Sequence, residues 1–493
     1  MTSSLFSKLA LGAAFAVTLA MVQPALGAEI ITMRETVSST LAFNPNVKAF
    51  QEYRQAAEHD LKRARSGWFP RVDARAGWGL EQWSDPTTRG RGGSAYHQEK
   101  RTYYDRSEAS LTISQTIWDG LDTLNRVRIG KSRLESADSR LFDNAEGLGL
   151  DAILAHIEIY RQRRIVALAE LNVKNHESIL ASQFERHRSG ASTMADVTQT
   201  QSRLARTEAS LAESRSALEV AIANYKRLTG KDPAGEVEVP ISPANAYPSL
   251  EVALADCQTR NPKVVALKSD IRTADAQFML DRSTFHPQVF LEAGPSYNYR
   301  TQSNTYDQGG MSVMLRANWN LFNGGYDYFN VKGNKARARQ ARHELNQQMD
   351  LLAEETEATW SSLLSAQEQT RYFANAVDYS TKTRDMYLEQ FNVGQRSLLD
   401  VLDSENELFS SSIQLVTSQQ NIIAAKYRLL TLGGALLASF GVDSGELLID
   451  TEHPRDGIWQ DYNGDPILPH WRTLEPKDQP DPNNPVSSTS APR

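Results

Sequence analysis

The chain has 493 residues, 53 Lys and Arg against 60 Asp and Glu, a formal charge of −7 and one cysteine, Cys257. Acidic and basic residues are intermixed, which excludes the basic patch that nucleic-acid binding requires. One cysteine allows no intrachain disulfide, so the fold must hold by packing.

Residues 1–28 have the form of a secretory signal peptide. Lys8 precedes an apolar run over 9–22, and Pro24-Ala25-Leu26-Gly27-Ala28 supplies a small-residue cleavage site after Gly27 or Ala28. The site has no Cys, so the mature end is expected to carry no lipid. Beyond it there is no stretch of about 18 apolar residues, and no spanning helix is expected. The longest candidate, 429–442, is interrupted by Gly433 and Gly434.

The rest of the chain states one unit twice. Asn44-Pro45 is answered by Asn261-Pro262, and the stretch 66–72 by 283–289, both 217 residues on. Trp118-Asp119-Gly120 is answered by Phe322-Asn323-Gly324, and Asp196-Val197 by Asp400-Val401, at an offset of 204. The difference is an extra 13 residues between Pro70 and Trp118. A repeat this long predicts a duplicated, quasi-symmetric architecture.

The first unit, 29–240, opens with a helix over 34–66. A strand pair over 70–118 and a helical hairpin over 121–229 follow. Val72, Ala74, Ala76, Trp78 and Leu80 alternate with polar or small residues, as do Ala109, Leu111, Ile113 and Ile117 on the return strand. That is the period of strands with one apolar and one polar face. Residues 121–184 contain no proline, enough for about 100 Å of helix at 1.5 Å per residue. The returning arm begins near Met194 and repeats Leu204, Leu211, Leu218 and Ile222, a coiled-coil seam.

The second unit, 241–449, repeats the order: a helix over 249–283, a strand pair over 287–322 and a helical hairpin over 325–440. Its strands alternate through Val289, Leu291 and Ala293, then Met311, Val313, Leu315 and Ala317. Two readings fit the four strands. One is a small soluble sheet. The other is part of a membrane barrel wall, whose strands need roughly nine to eleven residues with aromatics at the interfaces. Trp78, Trp83, Trp118, Tyr297, Tyr299, Tyr306, Trp319 and Phe322 cluster near the strand ends, and the loops at 84–106 and 300–310 are polar. Four strands cannot close a barrel, since about eight is the smallest closed set. A membrane reading therefore requires several chains.

From residue 450 onward eight prolines and few apolar residues predict a tail that is only partly ordered. Within it, 461–465 has the opening spacing of a calcium loop but lacks the later Glu, and reads as a turn. There is no metal-binding, phosphate-binding or nucleophile motif, so no enzyme activity, cofactor or metal is expected.

The turn of the second hairpin reads Phe391-Asn392-Val393-Gly394-Gln395-Arg396-Ser397-Leu398-Leu399-Asp400-Val401-Leu402-Asp403. With the duplication and the order of strand and helix pairs, this motif resembles the TolC family of outer-membrane export channels. The resemblance covers nearly the whole mature chain. It implies an α+β fold in a homotrimer: a twelve-stranded β-barrel, four strands from each chain, continuous with a twelve-helix periplasmic α-barrel. It implies a passive exit duct in outer-membrane lipid, working with a periplasmic adaptor (a membrane fusion protein) and an inner-membrane ABC transporter. The absent lipidation Cys is closer to the type I secretion branch, with secreted protein as cargo. A proton-driven RND drug or metal pump is the alternative partner, and a barrel-anchored coiled-coil spacer without transport is the other.

The same resemblance implies the site. Asp400 and Asp403 lie three apart on one helix face, and three chains would set six carboxylates around a periplasmic constriction that favours cations. Arg396 would reach Asp196 or its neighbour across a chain interface, with Phe391 beside them, to help hold the gate shut. Val393 and Gly394, with Ser189 and Gly190 at the first turn, would be the adaptor-docking tips. Phe391 stands where the motif often has Tyr, and Ala195 where it can have Thr. Arg186, His187 and Arg188 either compensate or are ordinary surface charge. The repeat places Gln199 opposite Asp403 and Ser192 opposite Arg396, so the two tips are not equivalent.

Overall fold

The computed structural model describes residues 30–82, 103–233, 235–244, 247–299 and 307–442, with the side chains of 103 and 104 excepted. The expected signal peptide, Trp83, Tyr306, most of both polar loops and the tail from residue 450 lie outside the described residues.

Each expected opening helix is two. α1 (Met33–Phe43) and α2 (Pro45–Ser66) are separated by Asn44; α5 (Leu250–Arg260) and α6 (Pro262–Ser283) by Asn261. The cause is the Asn-Pro pair. Proline disfavours the helical region for the residue before it, and its ring suits the first position of a new helix. The Asn side chain then caps that helix, Asn44 accepting from Asn46 N at 3.0 Å and Asn261 from Lys263 N at 2.9 Å.

β1 (Arg71–Gln82), β2 (Tyr103–Trp118), β3 (Gln288–Tyr299) and β4 (Gln308–Asn318) form one antiparallel sheet in the order β1-β2-β3-β4. The register carries the alternation across all four strands. Ala76 lies opposite Ala109, which lies opposite Tyr297; Ile113 lies opposite Ala293, which lies opposite Val313. One face is therefore mostly apolar, interrupted by Asp105, Ser107 and Gln115 of β2. On it Trp78 is 81% exposed, Leu80 75%, Met311 78% and Leu315 69%. Among the described residues no helix packs along the sheet, as a soluble sheet of this composition would require. Several charges of the polar face are paired: Arg71 with Asp73 at 2.7 Å, Arg316 with Glu292, and Arg106 with Glu81 at 3.2 Å and Glu108 at 2.6 Å. β2 and β3 approach closely at Gly294, where an added Cβ would stand 1.8 Å from the Leu111 carbonyl oxygen.

The sheet runs into the helices with short joints. Trp118 ends β2 and α3 (Asp122–Arg188) begins four residues later, through Leu121 at φ 71°. α3 and its counterpart α7 (Tyr326–Asn392) each have 67 residues, about 100 Å. The returning arms, α4 (Met194–Thr229) and α8 (Leu398–Leu432), have 36 and 35 residues and cover only half that length. α2 and α6 cover much of the other half, packing on α3 and α7, and α6 also lies on α3. Where the arms end, side chains from several elements meet: Cys257, Val264, Leu352 and Leu432 in one cluster, Ala155, Ile159, Tyr225, Leu228 and Val237 in another. The sequence predicts a second hairpin running to 440. It stops at Gly433-Gly434 and turns into the short α9 (Leu436–Ser439), whose Leu436 and Leu437 N–H groups donate to the buried Glu146 carboxylate at 3.0 and 3.2 Å.

Candidate functional site at the hairpin tips

Both long hairpins turn in the same way. At the first, Gly190 N donates to His187 O at 3.0 Å and Ala191 N to Arg186 O at 2.8 Å; at the second, Gly394 N donates to Phe391 O at 3.0 Å and Gln395 N to Gln390 O at 2.8 Å. Gly190 and Gly394 sit at φ 77° and 78°, where a Cβ is strained. An added Cβ at either would meet nothing within 4 Å, so both turns are open to an approaching backbone. Ser189 and Val393 stand just before them, Val393 70% exposed.

A polar residue caps each returning arm. Thr193 Oγ1 accepts from Asp196 N at 3.3 Å, while the Asp196 carboxylate accepts from Thr193 N at 3.0 Å and from its hydroxyl at 2.9 Å. This is a reciprocal capping box. Ser397 caps α8 through its hydroxyl alone, accepting from Asp400 N at 3.3 Å and donating to Asp400 Oδ2 at 2.9 Å. The paired aspartates of the repeat thus share a structural duty, a carboxylate in the first turn of a helix.

Within one chain Arg396 turns back on its own hairpin. Its guanidinium lies 4.0 Å from the Tyr387 ring centroid and 3.7 Å from Asp400 Oδ2, and it makes no contact with Asp196. Asp403 has a counterion, Arg203 of α4, at 3.2 Å. Phe391 is buried with Ile179, Leu398, Val401 and Leu402. Arg186 lies over its ring at 4.4 Å and donates to its carbonyl at 2.9 Å. His187 and Arg188 stay local, with Ser192 O and Glu185.

A turn deeper, the buried Glu405 accepts from Arg384 Nη1 at 3.0 Å and from Asn175 Nδ2 at 3.2 Å, joining α8, α7 and α3. Burial works against the charge on Arg384, but its bonds to Glu405 and Asp385 outweigh it and raise its pKa. The sequence reading did not name Arg203, Tyr387, Arg384 or Glu405. One signal was available: the offset of 204 sets Glu407 opposite Arg203, a charge reversal between otherwise matching arms.

The two tips lie side by side, Arg186 and Arg203 of the first hairpin each reaching the second. Among the described residues, no group of three His, Cys, Asp or Glu side chains could hold a metal ion.

The profile of the outer membrane efflux protein family matches residues 36–231 and 253–435. The outer membrane efflux protein BepC of Brucella suis biovar 1 is 24% identical over 343 residues, 68% of this chain and 74% of that protein. The alkaline protease secretion protein AprF of Pseudomonas aeruginosa is 24% identical over 410 residues, 80% of this chain and 82% of that one. The crystal structure of the Campylobacter jejuni CmeC outer membrane channel superposes with a TM-score of 0.71 at 13% identity, covering 84% of this chain and 88% of that one. With the uncovered sheet face, the long paired helices and the two matching turns, these similarities place the chain in the outer membrane efflux protein family, the TolC-like channels of the outer membrane.

Proposed function

We propose that three copies of this chain form the outer-membrane exit duct of a tripartite export system. The observation that carries this reading is the sheet: four strands with two free edges and an uncovered apolar face. Three such sheets joined edge to edge make a twelve-stranded barrel, above the minimum of about eight. The hairpins then form a tube of about 100 Å across the periplasm. Val393, Gly394, Ser189 and Gly190 are the docking points for a periplasmic adaptor. Asp400 and Asp403 form the acidic constriction, and Arg396 and Asp196, with Phe391, lie where adjacent chains would meet to keep it closed.

The cargo we favour is secreted protein driven by an inner-membrane ABC transporter. AprF, whose name records protease secretion, aligns with 80% of this chain. The test is single-channel conductance of the purified protein in a planar bilayer, beside Asp400→Asn/Asp403→Asn and Arg396→Ser. The expected result is a low, cation-preferring conductance that loses its preference in the Asp variant and rises in the Arg variant. Silence in all three, with trimers intact, would leave the protein a coiled-coil spacer.

A further inference from the structure

Two arginines of the first hairpin hold the tip of the second: Arg203, which the motif does not mark, and Arg186, for which the motif left open whether it compensates or is surface charge. Arg186 lies near the end of α3 and takes the last turn of α7, through the Phe391 carbonyl at 2.9 Å and the Phe391 ring at 4.4 Å. Arg203 lies in the third turn of α4 and takes the second turn of α8, through Asp403 Oδ1 at 3.2 Å. The helices themselves pair otherwise: α3 with α4, α7 with α8, and α3 with α8. α3 and α7 share no extended packing, nor do α4 and α8. The two guanidinium groups therefore bridge arms that the backbone leaves apart, one on each side of each turn.

The groups that would close the tip between chains are already engaged. Arg396 is folded onto Tyr387 and Asp400, and the Asp196 carboxylate is held by the Thr193 N–H and hydroxyl. Phe391 has no hydroxyl to offer. It is gripped instead by its ring face and its carbonyl, both of which a planar cation can use at once. Asp403 faces a cation within its own chain, so part of its field is cancelled before any ion arrives.

We propose that Arg186 and Arg203 form an intrachain clamp that holds the second hairpin tip against the first, and that Arg203 also sets how much negative charge the constriction presents. The proposal rests on the reading of the tips as a gate. It assigns the clamp's two cations to the first hairpin. A half-exposed ion pair is weak singly, but the same pair recurs in each chain around one opening.

The experiment is single-channel recording of the full-length trimer in a planar bilayer under a KCl gradient. The set is the unmodified protein, Arg203→Ser, Arg203→Lys, Arg186→Ser, the Arg186→Ser/Arg203→Ser double variant, the Arg203→Asp/Asp403→Arg charge swap, and Asp400→Asn/Asp403→Asn as reference. Arg203→Ser is expected to raise the cation-to-anion permeability ratio about twofold to fivefold, the range a half-exposed pair supports, and Arg203→Lys to restore most of it. Arg186→Ser is expected to raise open-state occupancy about tenfold, and the double variant to exceed either single one. The charge swap should close like the unmodified protein.

If the reference variant changes selectivity while Arg203→Ser and Arg186→Ser change neither selectivity nor occupancy, the clamp is wrong and the gate stands. If the reference variant is also silent in intact trimers, the gate reading fails and the clamp with it. Should Arg203→Ser fail to assemble, the charge swap decides: a swap that assembles and closes supports the pairing, and one that assembles but stays open overturns it.

Discussion

Replacing Arg384 with Met would strip a buried carboxylate of the cation the structure gives it. Glu405 is only 5% exposed, and its two oxygens are taken by Arg384 at 3.0 Å and by the Asn175 amide at 3.2 Å. Removing one partner of a buried pair costs about 3–5 kcal/mol, chiefly because the remaining charge is left without compensation. The cost falls near the end of a hairpin, so it should appear as local opening rather than global unfolding. At 1.36 kcal/mol per factor of ten, amide exchange over residues 384–405 should quicken roughly two hundred- to five thousand-fold. The assay is hydrogen exchange read by mass spectrometry on assembled trimers. Arg384→Met/Glu405→Met should recover most of the protection, because two apolar side chains leave no buried charge. Asn175→Ala should lose about 1 kcal/mol, one ordinary hydrogen bond. Unchanged protection in Arg384→Met would refute the reasoning, as would a double variant that opens as far as the single one.

Two further outcomes are expected. Burial pushes the Glu146 carboxyl up from 4.5 to about 7, its bonds from Leu437 and Leu436 only partly opposing that. The folded pKa is raised, so the stabilising contribution is complete below pH 4.5 and is lost as pH rises through about 7. The thermal midpoint of the trimer should fall over that window relative to Glu146→Gln; a difference between the two proteins that does not vary with pH would contradict this. Gly294→Ala should cost about 3 kcal/mol, the upper end for overpacking, because the new methyl would stand 1.8 Å from Leu111 O. The intact-trimer fraction on a non-denaturing gel would show it, and full assembly would mean the strands separate without cost.

The strands were legible because a half-exposed sheet enforces period 2 at every residue, and the long hairpins because proline is absent from them. The breaks at Asn44 and Asn261 were present as repeat markers, but their effect is local: a capping side chain followed by a ring that rejects the preceding helical turn. The end of α8 was written in Gly433-Gly434, yet the apolar residues beyond it kept the helical period and masked the stop. The site was legible only as a motif. Asp400 and Arg396 stand four apart across the N-cap of α8, so their pairing is local. Arg186 with Phe391, and Arg203 with Asp403, join residues 205 and 200 apart. No periodicity within one element points to such a partner. Glu405 was missed because an acid amid the polar residues of α8 looks like a solvated face until three helices are seen to converge on it.

Among the described residues, most charges on the polar face of the sheet are paired within it, Arg75 of β1 being the exception. Arg316 holds Glu292, and Arg106 holds Glu81 and Glu108. A surface whose ions are satisfied by their neighbours adsorbs weakly, since any passing group must first compete with a contact already made. In the duct proposed above, a wall whose ion pairs are mostly internal would offer a passing substrate few free charges along its length, leaving selection to the ends.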